Sequence, residues 1–237
     1  MNNYDQIAAV YDQVIGNRDK DVATILGLIR REMPDAQSVI DIGCGTGAIT
    51  EQIARHYRVT GVDISDEMIQ QAQKRSPEID YLVGDMTNFR TVDTFDCAVC
   101  LFNAINQVTD YADWEDAFQT AAALLNPGGV YIFDINTLAK HEKFVSASPL
   151  YQSIGNADYD YVLRLSPNGT GYVCSVTVFE KQGDIYRRHH NDMHCNSFPV
   201  SQILKGLERH FTSAKAVLAD GTPAGEDDDV VYFVARA

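Results

Sequence analysis

The feature that most limits how this chain can fold is a run of alternate glycines between two regular segments. Residues 38–42 (SVIDI) are largely apolar, Gly43, Gly45 and Gly47 follow, and residues 48–56 then show the apolar spacing of a helix. Glycines this close together allow a tight turn through backbone angles that other residues resist. A strand that passes through such a turn straight into a helix opens a βαβ unit. The pattern recurs: strands are expected at 58–64, 81–84, 95–102 and 130–135, and helices at 66–74 and 111–125, with Ser65 as an N-cap ahead of two acids. Alternation of this kind predicts a parallel sheet built from βαβ units.

Beyond Asn136 the texture changes. A loop or short helix through Tyr151 leads to strand-like stretches at 159–165, 172–180 and 185–195, separated by the turn signals PNGTG (167–171) and QGD (182–184). Turns of this composition join antiparallel neighbours, so the section reads as a meander. A helix at 200–210 and strands at 214–218 and 230–234 close the chain, with an exposed acidic loop at 220–229. The expected organisation is one α/β core from 1–136 and 199–237 with an inserted antiparallel platform at 137–198, a size that suits 237 residues.

Charge narrows the function. Lys and Arg number 19 against 33 Asp and Glu, a net charge of −14, which repels phosphate backbones and anionic lipid. Nucleic acid and membrane are therefore not expected as partners, and the short basic stretch at 186–190 (YRRHH) is no nucleic-acid footprint. No run is long and apolar enough to span a bilayer, and residues 1–12 lack the pattern of a signal peptide, which predicts a cytoplasmic protein. Cys44, Cys97, Cys100, Cys174 and Cys195 are scattered through apolar segments in the manner of reduced core thiols. Cys97 and Cys100 form a C-x-x-C, but residues three apart on a strand point to opposite faces, so neither a shared metal nor a redox pair is expected.

Three acids carry the chemistry. The turn reads G-x-G-x-G with Asp41 ahead of it, whereas the dinucleotide fingerprint is G-x-G-x-x-G, so the spacing disfavours NAD. A ligand bearing an ammonium beside a carboxylate needs less of an anion cradle than a pyrophosphate and tolerates Asp41 nearby. Asp63 ends the second strand, 20 residues beyond Gly43, where a carboxylate can accept from a ribose diol. Asp85 follows the third strand and can accept from an exocyclic amine, with Met86 placed to pack on a ring face.

With these motifs the chain resembles the class I S-adenosylmethionine (SAM)-dependent methyltransferases: DIGCGTG is similar to their first motif, VTGVDIS to the second, VGDM to the adenine-side motif, and LNPGG (125–129) to the turn before the fifth strand. The resemblance implies a Rossmann-like seven-stranded sheet of order 3-2-1-4-5-7-6, SAM as cofactor, and a cofactor set of Tyr11, Asp41, Gly43, Gly45, Asp63, Ile64, Asp85, Met86 and Leu101. The meander resembles that of small-molecule methyltransferases acting on deoxyamino sugars, where it helps to shape the substrate site. The paired Tyr4-Asp5 and Tyr11-Asp12 are similar to an N-terminal helix that folds over SAM in those families.

The expected reaction is methyl transfer to an amine or hydroxyl of a small metabolite. Ligands in open α/β sheets sit at the carboxyl ends of strands, which singles out 101–106 and 134–136. Asn103 and Asn106 are candidate acceptor-binding residues, and the segment lacks the N/D-P-P-aromatic motif of DNA-amine methyltransferases. His190 is a further substrate-side candidate, and His190 and Tyr11 are the candidates for catalysis. His190 and His194 would stand roughly 13 Å apart on a regular strand at about 3.3 Å per residue, so no metal is expected. A homodimer is an assembly the sequence leaves open. The alternatives are a SAM-binding regulator without turnover and, further off, an NAD(P)-dependent oxidoreductase.

Overall fold

The computed structural model describes residues 8, 11, 12, 16, 18–154 and 158–237. In the first half the elements are α1 (Asp19–Glu32), β1 (Ser38–Ile42), α2 (Thr50–Ala54), β2 (Arg58–Asp63), α3 (Asp66–Arg75), β3 (Asp80–Val83), β4 (Phe95–Cys100) and, after a 3-10 turn at Ala104–Gln107, α4 (Tyr111–Ala123). They continue as β5 (Leu125–Asn136), α5 (Leu138–Ala147), β6 (Leu150–Ile154), β7 (Tyr159–Asn168), β8 (Gly171–Gln182), β9 (Ile185–Cys195), α6 (Val200–Leu207), β10 (Ser213–Val217) and β11 (Val230–Arg236). No helix among the described residues is long and apolar enough to cross a membrane.

Seven strands form one sheet in the order β3-β2-β1-β4-β5-β11-β10, the expected topology. β1 lies parallel between β2 and β4, and β11 runs antiparallel to both β5 and β10. Every residue of β1 is buried, as a central strand covered on both faces requires. Alternation then divides the core. Ile40, Ala98, Cys100, Phe133 and Phe233 face Trp114 and Phe118 of α4 and Ile203 and Leu207 of α6. Val39, Cys97, Val99 and Ile132 face Ile25, Leu28 and Ile29 of α1 and Ile53 of α2. Cys97 and Cys100 thus lie on opposite sides of the sheet.

Four departures from the sequence reading have local causes. The helix after the glycine turn is short, because the turn itself runs on to Gly47 at φ +74 and only then can the chain enter α2. LNPGG is part of β5: Leu125 pairs with Phe95 and Val130 with Cys97, and the extra residues bulge through Gly128 at φ +79. α1 was not assigned; its buried Val22, Ile25, Leu26 and Ile29 have helical spacing, but Arg18 at its N-cap gives no side-chain hydrogen bond to mark the start. Nor was β6, which joins β7, β8 and β9 in a separate antiparallel sheet.

One face of that second sheet, carrying Val176, Val178 and Met193, packs on Tyr11 together with Tyr159, Tyr161 and Leu163. Its end is fastened to the core through Asn106. The Asn106 amide donates to Asn136 O (3.2 Å) and Asn196 O (2.6 Å) and accepts from Asn136 N (3.0 Å). Asn196 N also donates to the Asn106 carbonyl (2.8 Å). This corrects the expectation that Asn106 binds the acceptor: the residue is fully buried and its amide is committed to backbone groups that close β5 and follow β9.

Removing that amide leaves several buried polar groups unpaired, each a loss of about 1–3 kcal/mol. Asn106→Ala is expected to lower the unfolding free energy by about 2–4 kcal/mol in urea titration. A change within about 0.5 kcal/mol, the scale of an ordinary surface substitution, would refute its role as a fastener.

Candidate functional site

A cavity of about 500 Å³ opens at the carboxyl ends of β1, β2 and β4. Its floor is the glycine turn. Gly43 and Cys44 both donate their backbone N–H to Val62 O (2.7 and 3.0 Å), which ties the turn to the end of β2. Gly43, at φ +78, has no room for a side chain, since a Cβ there would stand 2.9 Å from that of Ala104. Gly45, at φ +55, instead faces space with no atom within 4 Å of where its Cβ would be. The first glycine admits close packing, and the second leaves room for a ligand.

Asp63 is held by both oxygens. Gly45 N donates to Oδ2 (2.9 Å) and Ser65 N to Oδ1 (2.9 Å), so the carboxylate is oriented from both sides. Asp85 is fixed in the same way, accepting from Thr87 N (2.9 Å) and Thr87 Oγ1 (2.8 Å). Beside them the apolar side chain of Ile64 lines the cavity with 54% of its surface exposed, an uncovered contact for a flat apolar group. Asp41 lies deeper, buried at the end of β1, where Thr50 Oγ1 donates to it (2.7 Å). Burial raises its pKa to about 6, the Thr50 hydrogen bond opposes that rise, and the Asp63 charge adds to it.

Over the glycine turn lies the short stretch Tyr11-Asp12. Asp12 accepts from Thr46 Oγ1 (2.6 Å) and pairs with Arg75, whose Nε donates to Thr46 O (3.1 Å). This latch sets Tyr11 against the cavity, where burial raises its phenol to about 12. A phenol that weakly acidic stays protonated at neutral pH and offers hydrogen bonding in place of a base. Tyr4 and Asp5 lie outside the described residues.

All nine residues expected for the cofactor line this one cavity: Tyr11, Asp41, Gly43, Gly45, Asp63, Ile64, Asp85, Met86 and Leu101. The three expected for the acceptor are placed elsewhere. Asn103 gives its N–H to Asp134, and Asn106 is the buried fastener described above. His190 sits on β9, its Nδ1 2.8 Å from Thr177 Oγ1 and its Nε2 3.4 Å from Asp192, away from the cavity wall. Arg18, Phe102, Gln107 and Asp113 do line the wall and were not singled out from sequence. No motif marks them: Arg18 precedes α1, and Phe102, Gln107 and Asp113 are spread without pattern over the chain from β4 into α4.

A methyltransferase domain model matches residues 39–129, the span that holds the glycine turn, Asp63 and Asp85. The chain is 25% identical over 242 aligned residues to a Bacillus subtilis protein provisionally named a methyltransferase, covering 99% of this chain and 97% of that one. It is 33% identical over 132 residues to the dTDP-4-amino-2,3,4,6-tetradeoxy-D-glucose N,N-dimethyltransferase of Saccharopolyspora spinosa, spanning 54% of this chain and 53% of that relative. The fold is similar, at a TM-score of 0.80 and 24% identity over 96% of this chain and 94% of the other, to SAM-bound CalS10, an amino pentose methyltransferase from Micromonospora echinaspora.

The chain is a SAM-dependent methyltransferase, and its residues 39–129 carry the methyltransferase domain. Its cofactor is SAM, and the cavity suits that molecule. It has two carboxylates oriented by hydrogen bonds, an uncovered apolar side chain at Ile64, and open space at Gly45.

Asp41 sets a test of the methyltransferase's electrostatics. Its folded pKa of about 6 lies above the ordinary aspartate value of 3.8, so between those values the folded state binds more protons than the unfolded state. Stability therefore falls as pH rises through that window, by at most about 3 kcal/mol for a shift of this size at 1.36 kcal/mol per unit. Asp41→Asn still accepts from Thr50 but carries no charge. It is expected to be more stable than wild type at pH 7 and to lose part of that advantage at pH 4.5. Equal urea midpoints for the two proteins at pH 7 would refute the assignment.

Proposed function

We propose that this enzyme transfers the methyl group of SAM to an amine of a small-molecule acceptor, with amino sugars as the leading acceptor class. The observation that carries the reading is the convergence of nine residues, from the N-terminal stretch and the ends of β1 to β4, on a single cavity. In this reading Asp63 takes the ribose diol, Asp85 the adenine amine with Met86 and Ile64 against the ring, and the glycine turn with Asp41 receives the amino-acid end. When bound, SAM supplies a methyl group already activated on a sulfonium, so the chain's task is alignment and exclusion of water.

Electrostatics favour an amine. Among the described residues Asp41, Asp63, Asp85 and Asp113 line the cavity against the one guanidinium of Arg18, an acidic enclosure that concentrates cationic ligands. An amine also needs no strong base once it has lost its proton, whereas a hydroxyl acceptor does. The sugar N,N-dimethyltransferase relative supports the same class, although the match spans about half of its length. The acceptor side is then shaped by the Tyr11 ring and the apolar face of the second sheet that packs on it. Nucleic acid remains excluded in this reading by the net charge of −14. Unpaired cysteines, four of the five buried, suit a cytoplasmic location, and a homodimer is the assembly we propose.

Two measurements test the reading. Asp63→Ala is expected to weaken SAM binding by about 1–3 kcal/mol in calorimetry, the loss of hydrogen bonds to a charged group. Unchanged affinity in a folded variant removes Asp63 from the cofactor site. Separately, incubation with SAM and a panel of amino-sugar nucleotides, free amino sugars and their hydroxyl counterparts should release S-adenosylhomocysteine (SAH). The product should gain one or two methyl masses on nitrogen. Turnover confined to the hydroxyl compounds would overturn the amine assignment, and SAH binding without any turnover would point to a regulator.

A further inference from the structure

The chain leaving β4 does something costly. Phe102 and Asn103 adopt φ of +57 and +52 in succession, a conformation that side-chain-bearing residues resist and that is an outlier for a bulky one. Two successive residues in this form turn their N–H groups the same way, and both are captured by one carboxylate. Phe102 N donates to Asp134 Oδ1 (2.7 Å) and Asn103 N to Asp134 Oδ2 (2.9 Å). Asp134 is 7% exposed at the end of the neighbouring strand β5. A buried carboxylate with two charge-assisted bonds to strained backbone is far more than a surface turn requires.

The turn carries a ring to a particular place. Phe102 lines the cavity, and the Arg18 guanidinium carbon stands 4.6 Å above its ring centroid, a cation–π contact. Arg18 is the one cation among the described residues that line the cavity. Its Nε is buried without a hydrogen-bond partner among the described residues, and its ion pair to Asp21 is long at 3.5 Å.

We propose that Asp134 is a positioning residue for cofactor binding: by pinning the Phe102–Asn103 turn it holds the Phe102 ring as the platform that presents Arg18 to the carboxylate of the cofactor's amino-acid end. Asp134 touches no ligand in this scheme. It acts through the turn, the ring and the guanidinium in sequence. The inference rests on the placement of the amino-acid end given above, and it is independent of which acceptor the enzyme methylates.

The test compares two ligands that differ at that end: SAH, which carries the carboxylate, and 5′-methylthioadenosine, which lacks the amino acid. In Asp134→Asn, which keeps shape but loses the charge, SAH affinity is expected to fall about tenfold, the loss of one charge-assisted hydrogen bond. Affinity for 5′-methylthioadenosine should hold. In an Arg18→Gln background the same substitution should have no further effect on SAH. Equal weakening of both ligands, or additive losses in the double variant, would overturn the proposal and leave Asp134 a stabilising residue only.

Phe102→Gly keeps the test decisive if Asp134→Asn does not fold. Glycine adopts this φ without strain, so the variant should not lose stability from the turn, yet it removes the platform and should show the same selective loss of SAH affinity. Intact selectivity for SAH in that variant would refute the platform role. Wild-type protein that binds neither ligand would instead overturn the cofactor placement itself, and with it this proposal.

Discussion

The whole site hangs on the way the glycine turn is sewn to the neighbouring strand. Gly43 and Cys44 both donate to the Val62 carbonyl near the end of β2, and Gly45 N donates to the side chain of Asp63, the residue after Val62. The ends of β1 and β2 thereby move as one piece. Because the turn occupies left-handed backbone at three positions, only glycines give it this shape without strain, and only this shape brings the Gly45 N–H to the carboxylate. Asp63 is consequently oriented before any ligand arrives, and its second contact, to Ser65 N, links it to the cap of α3. Preorientation of this kind lowers the ordering cost of binding.

That geometry has an electrostatic consequence. Asp41 and Asp63 belong to adjacent strand ends, and with Asp85 and Asp113 they line a cavity in which Arg18 is the single guanidinium among the described residues. The protein tolerates this through hydrogen bonds to Asp41, Asp63 and Asp85 and, at Asp41, through a raised proton affinity. A ligand with an ammonium and a sulfonium relieves the same repulsion, so its positive charge contributes binding free energy that a neutral nucleoside does not. Asp134 belongs to a different arrangement. Its charge satisfies backbone donors, not a ligand, although burial raises its pKa to about 6 as it does for Asp41.

How much of this was legible in the sequence depended on range. The strands, the glycine turn, Asp63 and Asp85 are local: each follows from alternation, from turn residues or from a fixed interval between neighbours in the chain, and each appears where it was expected. Asn106 shows the opposite case. Its partners are 30 and 90 residues away, and an asparagine near a strand end looks the same whether it faces a ligand or closes a core. Arg18 carries no motif and enters the cavity only because α1 packs across β1, β4 and β5. The left-handed pair Phe102–Asn103 was invisible for a different reason, since the rule that such backbone needs glycine is broken there by a carboxylate from another strand. His190 drew attention as one of several alternating histidines, yet that alternation places Asn191 and Met193 inward and leaves Asp192 and His194 in solvent.

Tyr11 joins the two halves of the molecule. It lines the cavity beside the glycine turn, and it also packs in the apolar cluster of the second sheet with Val176, Val178 and Met193. The latch through Asp12 to Thr46 and Arg75 fixes its neighbour to the core, so the ring cannot shift toward the sheet without loosening the turn beneath it. A ligand that presses on Tyr11 from the cavity therefore presses on the second sheet as well. Packed interfaces respond to such pressure by adopting one of a few arrangements, not by yielding continuously. In the function proposed above, occupancy of this cavity and the shape of the acceptor side are coupled through this one ring, because Tyr11 belongs to both the cavity wall and the apolar cluster of the second sheet.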